Sequence, residues 1–375
     1  MVLFVHNRYR TTGGEERAVE DLLWLVREHL GERAELLTRD SAQLRPARAA
    51  IGLLRGGLDP EEVAAAVRRH GARVVHAHNL QPSLGWRALR AAREAGARVV
   101  LHLHQYRLVC AVGVCFTHGA ECTRCHARNT LPGVRLNCRG SAAEALAYGA
   151  SLALWQRRLV AQADAIVVPS AFARERLREL GAPLAWERVH VLAPPLRAAG
   201  AGARRPAAGD GVLAGPYALV ASRLSPEKGV EVAIEACHMA GMRLVVAGDG
   251  PQRAALEARA RAGRVSFEGR VDGARLERLR AGAAIALVPS RSGESFGLAA
   301  AEAMAAGVPV AASRVGALPE LLDDEALVPA GDARALAQAI GRLAGDRAAA
   351  ERGRERVRTL CAPETVARSL AGVYA

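Results

Sequence analysis

Short apolar runs of strand length alternate with amphipathic segments along most of this chain. In the segment Glu15–Leu30, for example, apolar residues recur at the three- and four-residue spacing of a helix. Such alternation is typical of a parallel sheet that is covered by helices on both faces. The predicted strands are Val2–Val5, Val74–His76, Val99–Leu103, Ala165–Val168, Val189–Leu192, Tyr217–Ala221, Leu244–Ala247, Val265–Glu268, Ile285–Val288, Val308–Ala311 and Leu327–Val328.

The alternation is interrupted at residues 194–216, which are rich in Pro, Gly and Ala and show no periodicity. The chain has 375 residues, more than one ordinary hydrophobic core holds. We therefore predict an α/β protein with two Rossmann-like, doubly wound domains and a cleft between them. The predicted parts are a first domain (1–196) with a cysteine-rich insert (106–140), a linker (197–216), a second domain (217–357) and a C-terminal helix (358–375) that packs back on the first domain.

A cationic loop follows the predicted strand Tyr217–Ala221. Arg223 and Lys228 are five residues apart in this loop, and a helix is predicted to start near Gly229. Because helix N-termini attract anions, both cations can converge on one diphosphate. Lys228 is the only lysine among the 51 basic residues of the chain. Lysine binds phosphate as a compact point charge that arginine does not replace freely, so its retention here favours a binding role over an ordinary solvated loop.

Two glutamates bracket the start of another predicted helix in the second domain. Glu294 lies in the loop before the helix, and Glu302 lies in a stretch otherwise built from Ala, Leu and Met. A carboxylate in so apolar a stretch either faces solvent or binds hydroxyl groups. The pair suits a sugar and a ribose, and the backbone N–H groups of Ser295, Phe296 and Gly297 can reach a phosphate or sugar oxygen.

Candidate site residues also follow two predicted strands of the first domain. Gly13 and Gly14 precede a helix, and a glycine pair serves either a close approach to a ligand or a turn with positive φ. His104 ends the strand 99–103, and strand alternation places His102 on the same side. A single histidine is often a structural hydrogen-bonding residue, but the position at the carboxyl end of a strand favours His104 as a site residue.

The motifs of the second domain make this chain resemble glycosyltransferase family 4, whose members have the GT-B fold and retain the anomeric configuration of the sugar they transfer. The most specific element is the E-x7-E motif formed by Glu294 and Glu302. Arg223 and Lys228 match the diphosphate-binding pair of the family. The segment Gly316–Glu320 resembles the turn and helix start that follow the motif.

The resemblance implies transfer of a hexosyl unit from a nucleotide diphosphate sugar, such as a UDP- or GDP-sugar, to an acceptor hydroxyl. The acceptor can be a glycan, a lipid-linked precursor or a small polyol. By resemblance, Arg223 and Lys228 neutralise the leaving nucleoside diphosphate. Glu294 then contacts the transferred hexose, and Glu302 contacts the ribose.

The resemblance also gives roles to the first domain. It places His104 near the sugar, and it places the loop of Gly13 and Gly14 near the donor phosphates and the acceptor. No metal or other cofactor is expected to take part in catalysis, and the sequence contains no Asp-x-Asp motif that could bind one.

Five of the seven cysteines lie between residues 110 and 138. Cys122 and Cys125 form a C-x2-C pair flanked by Cys110 and Cys138, a spacing compatible with structural zinc. The insert shows little periodicity, so it is expected to need a cross-link. A cysteine-containing subset of family 4 shares these four residues, but zinc, free thiols and disulfides all stay open. Catalytic zinc is not expected, because four thiolates leave no open coordination position.

The formal charge of +13 has two explanations, a compositional bias towards arginine or an anionic partner. Peripheral contact with an anionic membrane surface is compatible with it. The N-terminus reads as a strand and not as a signal peptide, and there is no run of 18 apolar residues. We therefore expect a cytoplasmic protein, at most peripheral at the inner face of the membrane. Nucleic acid is not expected as a partner, because only 4% of residues are aromatic and no recognition motif is present.

Two other functional classes stay open at this point. One is a non-catalytic protein that binds sugar nucleotides, and the other is a different nucleotide-dependent Rossmann enzyme, such as an NAD-linked oxidoreductase. The dinucleotide fingerprint G-x-G-x-x-G is incomplete, because Gly248 and Gly250 are not followed by the third glycine. The intact set of two cations and two glutamates argues against the non-catalytic class.

Overall fold

The computed structural model describes four ranges of the chain, residues 1–9, 13–197, 215–260 and 264–375. Most of the predicted linker, 198–214, lies outside the described residues. The described chain forms two compact units, which we call the first and the second unit. The first unit contains residues 1–117, 122–195 and 363–375, and the second contains residues 118–121 and 196–362.

Six strands of the first unit form one parallel sheet, and two short strands within residues 116–121, where the chain passes from the first unit to the second, form a separate hairpin. Along the chain the strands are β1 (Val2–Arg8), β2 (Ala34–Asp40), β3 (Val74–Ala77), β4 (Arg98–His102), the hairpin strands β5 (Phe116–Thr117) and β6 (Ala120–Glu121), β7 (Ala165–Val168) and β8 (Val189–Val191). The order across the sheet is β2-β1-β3-β4-β7-β8. The helices that follow the chain through this unit are α1 (Gly14–Glu28), α2 (Pro46–Arg55), α3 (Pro60–His70), α4 (Gly85–Glu94), α5 (Leu131–Arg135), α6 (Ala142–Ala161) and α7 (Ala171–Glu179).

The second unit also contains a six-stranded parallel sheet, with the order β11-β10-β9-β12-β13-β14. Its strands are β9 (Tyr217–Ala221), β10 (Arg243–Ala247), β11 (Val265–Gly269), β12 (Ile285–Val288), β13 (Val310–Ser313) and β14 (Leu327–Val328). Its helices are α8 (Val230–Met239), α9 (Arg253–Arg259), α10 (Gly273–Gly282), α11 (Leu298–Ala305), α12 (Leu318–Leu321), α13 (Ala333–Leu343) and α14 (Arg347–Cys361). The last helix of the chain, α15 (Pro363–Tyr374), belongs to the first unit.

Both faces of the first sheet are buried. Along β1, Leu3 and Val5 pack into one apolar cluster with residues of α3 and α4, whereas Val2 and Phe4 pack into another with residues of α1 and α15. This follows from the period of two along a strand, because an uninterrupted apolar run supplies side chains to both faces. Within the described residues, no helix combines the length and apolarity needed to span a membrane.

Strand β2 (Ala34–Asp40) is not among the strands predicted from the sequence. It lies at the edge of the sheet and pairs with β1 on one side only. Its residues are mostly part-exposed and mix charged with apolar side chains, so the strand lacks the apolar run that marks the central strands. The missed strand does not change the predicted fold class.

The order of strands reverses at one place in each sheet. In the first sheet, β1 lies between β2 and β3, and in the second sheet, β9 lies between β10 and β12. The connections that leave the strands on the two sides of this point run in opposite directions. They leave a crevice beyond the carboxyl ends of the strands, and doubly wound sheets bind their ligands there. The loops after β1 and β3, and after β9 and β12, are therefore the places to look for a site.

Candidate active site

The loops after β9 and β12 interlock in the second unit. The backbone N–H of Arg291 donates to the carbonyl oxygen of Glu227 at 2.8 Å. Gly229 has a φ of +61°, and an added Cβ would overlap the carbonyl oxygen of Pro289. Both the left-handed backbone and the close approach require glycine at this position.

The interlocked loops bring Lys228 and Glu294 together. Lys228 Nζ donates to Glu294 Oε1 at 2.6 Å, and Ser290 Oγ donates to the same carboxylate oxygen at 2.6 Å. Burial alone would raise the pKa of Glu294, but the charge and hydrogen bond of Lys228, with the Ser290 hydrogen bond, outweigh it and lower the pKa. Burial would likewise lower the pKa of Lys228, and Glu294 outweighs it and raises the pKa. Both groups are therefore ionised at neutral pH.

A second glycine, Gly316, lies directly against the backbone of Glu294. Gly316 has a φ of +62°, and a Cβ there would overlap the backbone of Glu294. The N–H of Ala317 donates to the carbonyl oxygen of Glu294 at 2.9 Å. The turn before α12 is thus part of the support of this carboxylate, and a side chain at residue 316 would displace it.

The start of α11 follows directly. Ser295 and the buried Phe296 lead into Gly297, which has a φ of +97° and precedes the first helical residue. A Cβ at Gly297 would lie 2.7 Å from Leu318 Cδ2, so this turn is also packed closely. The structure therefore places the residues 295–297 between Glu294 and α11, as the sequence predicts.

Glu302, on α11, forms an ion pair with Arg280 of α10. Both side chains are largely buried. From the sequence, Glu302 was expected either to face solvent or to bind hydroxyl groups. Its partner Arg280 was not identified. In a chain so rich in arginine, nothing in the sequence marks this one as buried, and the only clue was that Glu302 lies in an apolar helix.

Arg223 follows β9 and is exposed. The loop after β10 packs against the backbone of the next residue, Leu224. The N–H of Leu224 donates to the carbonyl oxygen of Asp249 at 3.0 Å, and a Cβ at Gly250 would overlap the Leu224 backbone. Gly248 and Gly250, the two glycines of the incomplete dinucleotide fingerprint, therefore allow these loops to pack closely. The charge of Arg223 also opposes the raised pKa of Lys228, so the two cations lie within electrostatic range of each other.

In the first unit, Glu16 occupies the N-terminus of α1. Its carboxylate accepts hydrogen bonds from the N–H of Gly13 at 2.7 Å and the N–H of Tyr9 at 3.0 Å. Burial would raise the pKa of Glu16, but the His6 ring, 3.8 Å away, and these backbone hydrogen bonds outweigh it and lower the pKa. Gly14 is the first residue of the helix. The N–H of Gly13 is thus already bonded to a carboxylate of its own chain, and a contact of this loop with a donor stays a prediction.

His104 lies two residues beyond β4 and belongs to a stack of imidazole rings. The ring of His102 stacks on it with the centroids 4.0 Å apart, and His78 Nδ1 lies 2.8 Å from His104 Nε2. The stack continues to His76, whose Nδ1 lies 2.7 Å from the hydroxyl of Tyr374. Burial lowers the pKa of His104, so the neutral imidazole is favoured at neutral pH.

Of the described His, Cys, Asp and Glu side chains, three histidines present ligand atoms within 4.8 Å of one another, His76, His78 and His102. Their rings are stacked, with angles of 25°, 11° and 28° between the planes. Nearly parallel rings direct their in-plane lone pairs side by side, whereas a metal ion needs lone pairs that converge on one point. The stack is therefore a hydrogen-bonding and packing feature of the sheet edge.

Five cysteines surround one small cavity in the insert: Cys110, Cys115, Cys122, Cys125 and Cys138. None of the seven cysteines, all of which lie within the described residues, forms a disulfide. A hydrogen bond with Cys115 lowers the pKa of Cys110 to about 6, whereas burial raises the pKa of Cys125 to about 11. Among the described residues, no three of these thiols lie as close to one another as the ligand atoms of the three histidines do.

Part of the insert packs into the core of the first unit. Cys110, Cys115 and Cys125 are buried in the main apolar cluster of the first unit, together with Leu180 of the chain after α7. These three cysteines therefore act as apolar core residues, and the need of the insert for a cross-link stays a prediction.

Comparison with known proteins agrees with this architecture. Residues 2–195, more than half of the chain, match the family described as glycosyl transferase 4-like domain, and residues 215–346 match the family described as glycosyl transferases group 1. Sucrose-phosphate synthase from Thermosynechococcus elongatus superposes with a TM-score of 0.71 at 20% identity, covering 100% of this chain and 98% of that chain. HepE from Anabaena, solved with UDP-glucose, gives a TM-score of 0.64 at 18% identity over 99% and 98% of the two chains. The predicted GT-B class, with two parallel Rossmann-like domains, is confirmed.

Curated relatives match over shorter stretches. Glycogen synthase from Mycobacterium tuberculosis is 35% identical over 234 residues, which are 58% of this chain and 55% of the relative. A GDP-mannose-dependent phosphatidylinositol dimannoside mannosyltransferase from the same species is 42% identical over 106 residues, 27% of this chain and 28% of that one. The chain thus spans about half the length of the first relative and less of the second. With the family match over residues 2–195, the conclusion is that this chain belongs to the glycosyl transferase 4-like family.

Proposed function

We propose that this chain is a retaining hexosyltransferase that uses a nucleotide diphosphate sugar as donor. The observation that carries the proposal is the ion pair of Lys228 and Glu294, held where the strand order of the second sheet reverses. A cation and a carboxylate at this place suit the two parts of such a donor, because the cation attracts the diphosphate and the carboxylate accepts hydrogen bonds from sugar hydroxyls.

Lys228 and Arg223 act on the leaving group. The ammonium of Lys228 has three N–H donors and gives one to Glu294, so two can reach phosphate oxygens. In the reaction the bond between the anomeric carbon and the phosphate oxygen breaks, and a bond to the acceptor oxygen forms. The proton of the acceptor hydroxyl goes to the departing diphosphate. Two fixed cations stabilise the negative charge that develops on this group.

The other residues position the sugar and the nucleoside. Glu294 accepts hydrogen bonds from the hexose, and Glu302 binds the ribose with its carboxylate oriented by Arg280. His104 is held neutral by burial, so it can donate or accept a hydrogen bond at a sugar oxygen without adding a charge.

The donor is proposed to be a UDP- or GDP-sugar. HepE was solved with UDP-glucose, and the mycobacterial mannosyltransferase is named for GDP-mannose. The acceptor is proposed to be a hydroxyl of a glycan, a lipid-linked precursor or a small polyol. A cytoplasmic location with peripheral contact at the inner membrane face is compatible with a lipid-linked acceptor.

A thermal-shift panel of UDP-, GDP- and ADP-sugars tests the function. We expect one nucleotide class to raise the melting temperature, since a ligand at 100 times its Kd stabilises the folded state by about 2.7 kcal/mol. Nucleoside diphosphate release in the presence of candidate acceptors then measures turnover. The absence of any shift in the melting temperature would contradict donor binding. A shift without release of nucleoside diphosphate, whichever acceptor is added, would favour the non-catalytic class.

We further propose that Cys110, Cys122, Cys125 and Cys138 hold a structural zinc ion. Their thiols surround one cavity, and four thiolates are the usual donor set of such sites. The ion would tie the insert together and would leave no position open for chemistry.

Metal analysis of the purified protein tests the zinc site. We expect about one zinc per chain, and we expect Cys122→Ser with Cys125→Ser to lose it and lower the melting temperature. Cys115→Ser is the matched control, because Cys115 lines the same cavity but is outside the proposed ligand set. Zinc-free protein with an unchanged melting temperature in the double variant would contradict the site.

A further inference from the structure

A cavity inside the first unit adjoins His104. The space inside it, together with the solvent at its open mouth, is about 700 Å³. Its walls come from the carboxyl ends of β3 and β4 and from the helices α2, α4 and α6. None of the roles proposed above uses the part of this cavity that lies beyond His104.

One group of its lining residues is polar and hydrogen-bonded. Gln105 Nε2 donates to the hydroxyl of Tyr9 at 2.6 Å and to Glu15 Oε2 at 2.9 Å, and the Tyr9 hydroxyl donates to the same carboxylate at 2.6 Å. The guanidinium of Arg107 lies over the Tyr9 ring, 4.6 Å from its centroid. Because Gln105 follows His104 directly, this polar wall lies beside the proposed sugar-binding histidine.

A second group of lining residues is apolar. Leu53 comes from α2, Trp86 from α4, and Leu152, Trp155 and Leu159 come from α6. The two indole rings lie 6.0 Å apart, and Trp155 Nε1 donates to the carbonyl oxygen of Leu53 at 3.1 Å. These contacts fix an aromatic and aliphatic wall that can hold a hydrocarbon chain but offers little to a free sugar.

Buried polar atoms around the cavity lack partners. Four of its lining side chains, Gln81, Gln156, Trp86 and Arg107, each carry a buried nitrogen or oxygen without a hydrogen bond among the described residues. Buried polar atoms in proteins nearly always have a partner, and leaving one without it is costly.

We propose that this cavity binds the acceptor and that the acceptor is an amphiphile, with a hydroxylated head at the polar wall and an aliphatic chain against the apolar wall. The inference rests on the proposed transfer to a hydroxyl, and it narrows the acceptors from glycans, lipids and polyols to lipid-linked ones. The head is thereby held beside His104, and the chain is held by α2, α4 and α6.

The surface next to the apolar wall indicates where the aliphatic chain of the acceptor comes from. Ile51 and Leu54 on α2 are 46% and 48% exposed, and Leu154 on α6 is 49% exposed. The guanidinium of the exposed Arg158 lies 5.1 Å from the ring centroid of Trp155. Exposed apolar side chains with a cation beside them suit contact with an anionic lipid surface, from which a chain can enter the cavity.

Alkyl glucosides used below their micelle concentration test the proposal on the full chain, without any donor. We expect decyl β-D-glucoside to bind at least about 30-fold more tightly than methyl β-D-glucoside in calorimetry, because each buried methylene strengthens binding about fourfold. Leu152→Gln places a polar group in the apolar wall, and Leu159→Phe narrows the cavity without one. Each variant is expected to remove most of the decyl preference.

Leu146→Gln is the matched control, because Leu146 lies on the same helix, is 61% exposed and does not line the cavity. It should keep the decyl preference, and circular dichroism checks that all variants fold. Equal affinity for the two glucosides, or a decyl preference that survives both cavity variants, would overturn the proposal. Since the nucleotide-sugar panel is a separate measurement, donor binding without a decyl preference would sink this inference alone, whereas failure of the panel would sink the proposed function.

Discussion

Replacement of Lys228 by alanine is expected to lower kcat by about 100- to 1,000-fold, the usual cost of removing one preorganised donor from a developing negative charge. The structure gives the reason, because Lys228 is held by Glu294 at 2.6 Å and therefore keeps its position before the donor binds. Lys228→Arg keeps the charge but not the compact ammonium geometry, so we expect it to recover only a small part of the activity. Steady-state release of nucleoside diphosphate measures both variants.

Loss of activity in Lys228→Ala must be separated from loss of folding, since the variant leaves Glu294 without its cation. Arg93→Ala is a suitable control: Arg93 pairs with Asp164 at the same distance of 2.6 Å, in the first unit and at the amino end of β7. We expect both variants to lower the melting temperature slightly and only Lys228→Ala to lose turnover. Turnover within twofold of the wild type in Lys228→Ala would refute the proposed clamp.

The residues that follow strands were the part of the site that could be predicted. Lys228 and Glu294 are 66 residues apart in sequence, and each was singled out because it comes after an apolar run that ends in a polar loop. The carboxyl ends of parallel strands meet at one edge of a sheet, so two such loops at a reversal of strand order must lie close together. The local pattern was therefore enough to predict the fold class and to mark both residues as site candidates, but it did not predict the ion pair between them.

The partners that come from elsewhere in the fold could not be predicted. Arg280, for example, binds Glu302 from a neighbouring helix. Periodicity shows which face of a helix is apolar, but it does not show which helix lies against it. In a chain with so many arginines, the buried one carries no mark in the sequence. The cavity beside His104 was missed for the same reason, since its walls come from three separate helices.

The pair of Glu302 and Arg280 is expected to be the largest single contribution of a polar contact to the stability of the second unit. Glu302→Ala removes the carboxylate that pairs with the guanidinium of Arg280, whose side chain is only 7% exposed. Removal of one partner of a buried ion pair costs about 3–5 kcal/mol in the free energy of unfolding. Urea unfolding followed by circular dichroism measures this change, and the midpoint should fall while the slope stays constant.

The double variant Arg280→Met with Glu302→Leu separates the structural role of this pair from its proposed role at the ribose. Two apolar residues of similar volume can replace a buried ion pair with little loss of stability, so we expect the unfolding midpoint to return close to that of the wild type. Binding of UDP and GDP, measured by calorimetry, should stay weakened, because no carboxylate remains to accept the hydrogen bonds of the ribose hydroxyls. If the double variant binds the nucleotides as tightly as the wild type, Glu302 serves only to neutralise Arg280, and the ribose contact must come from another residue.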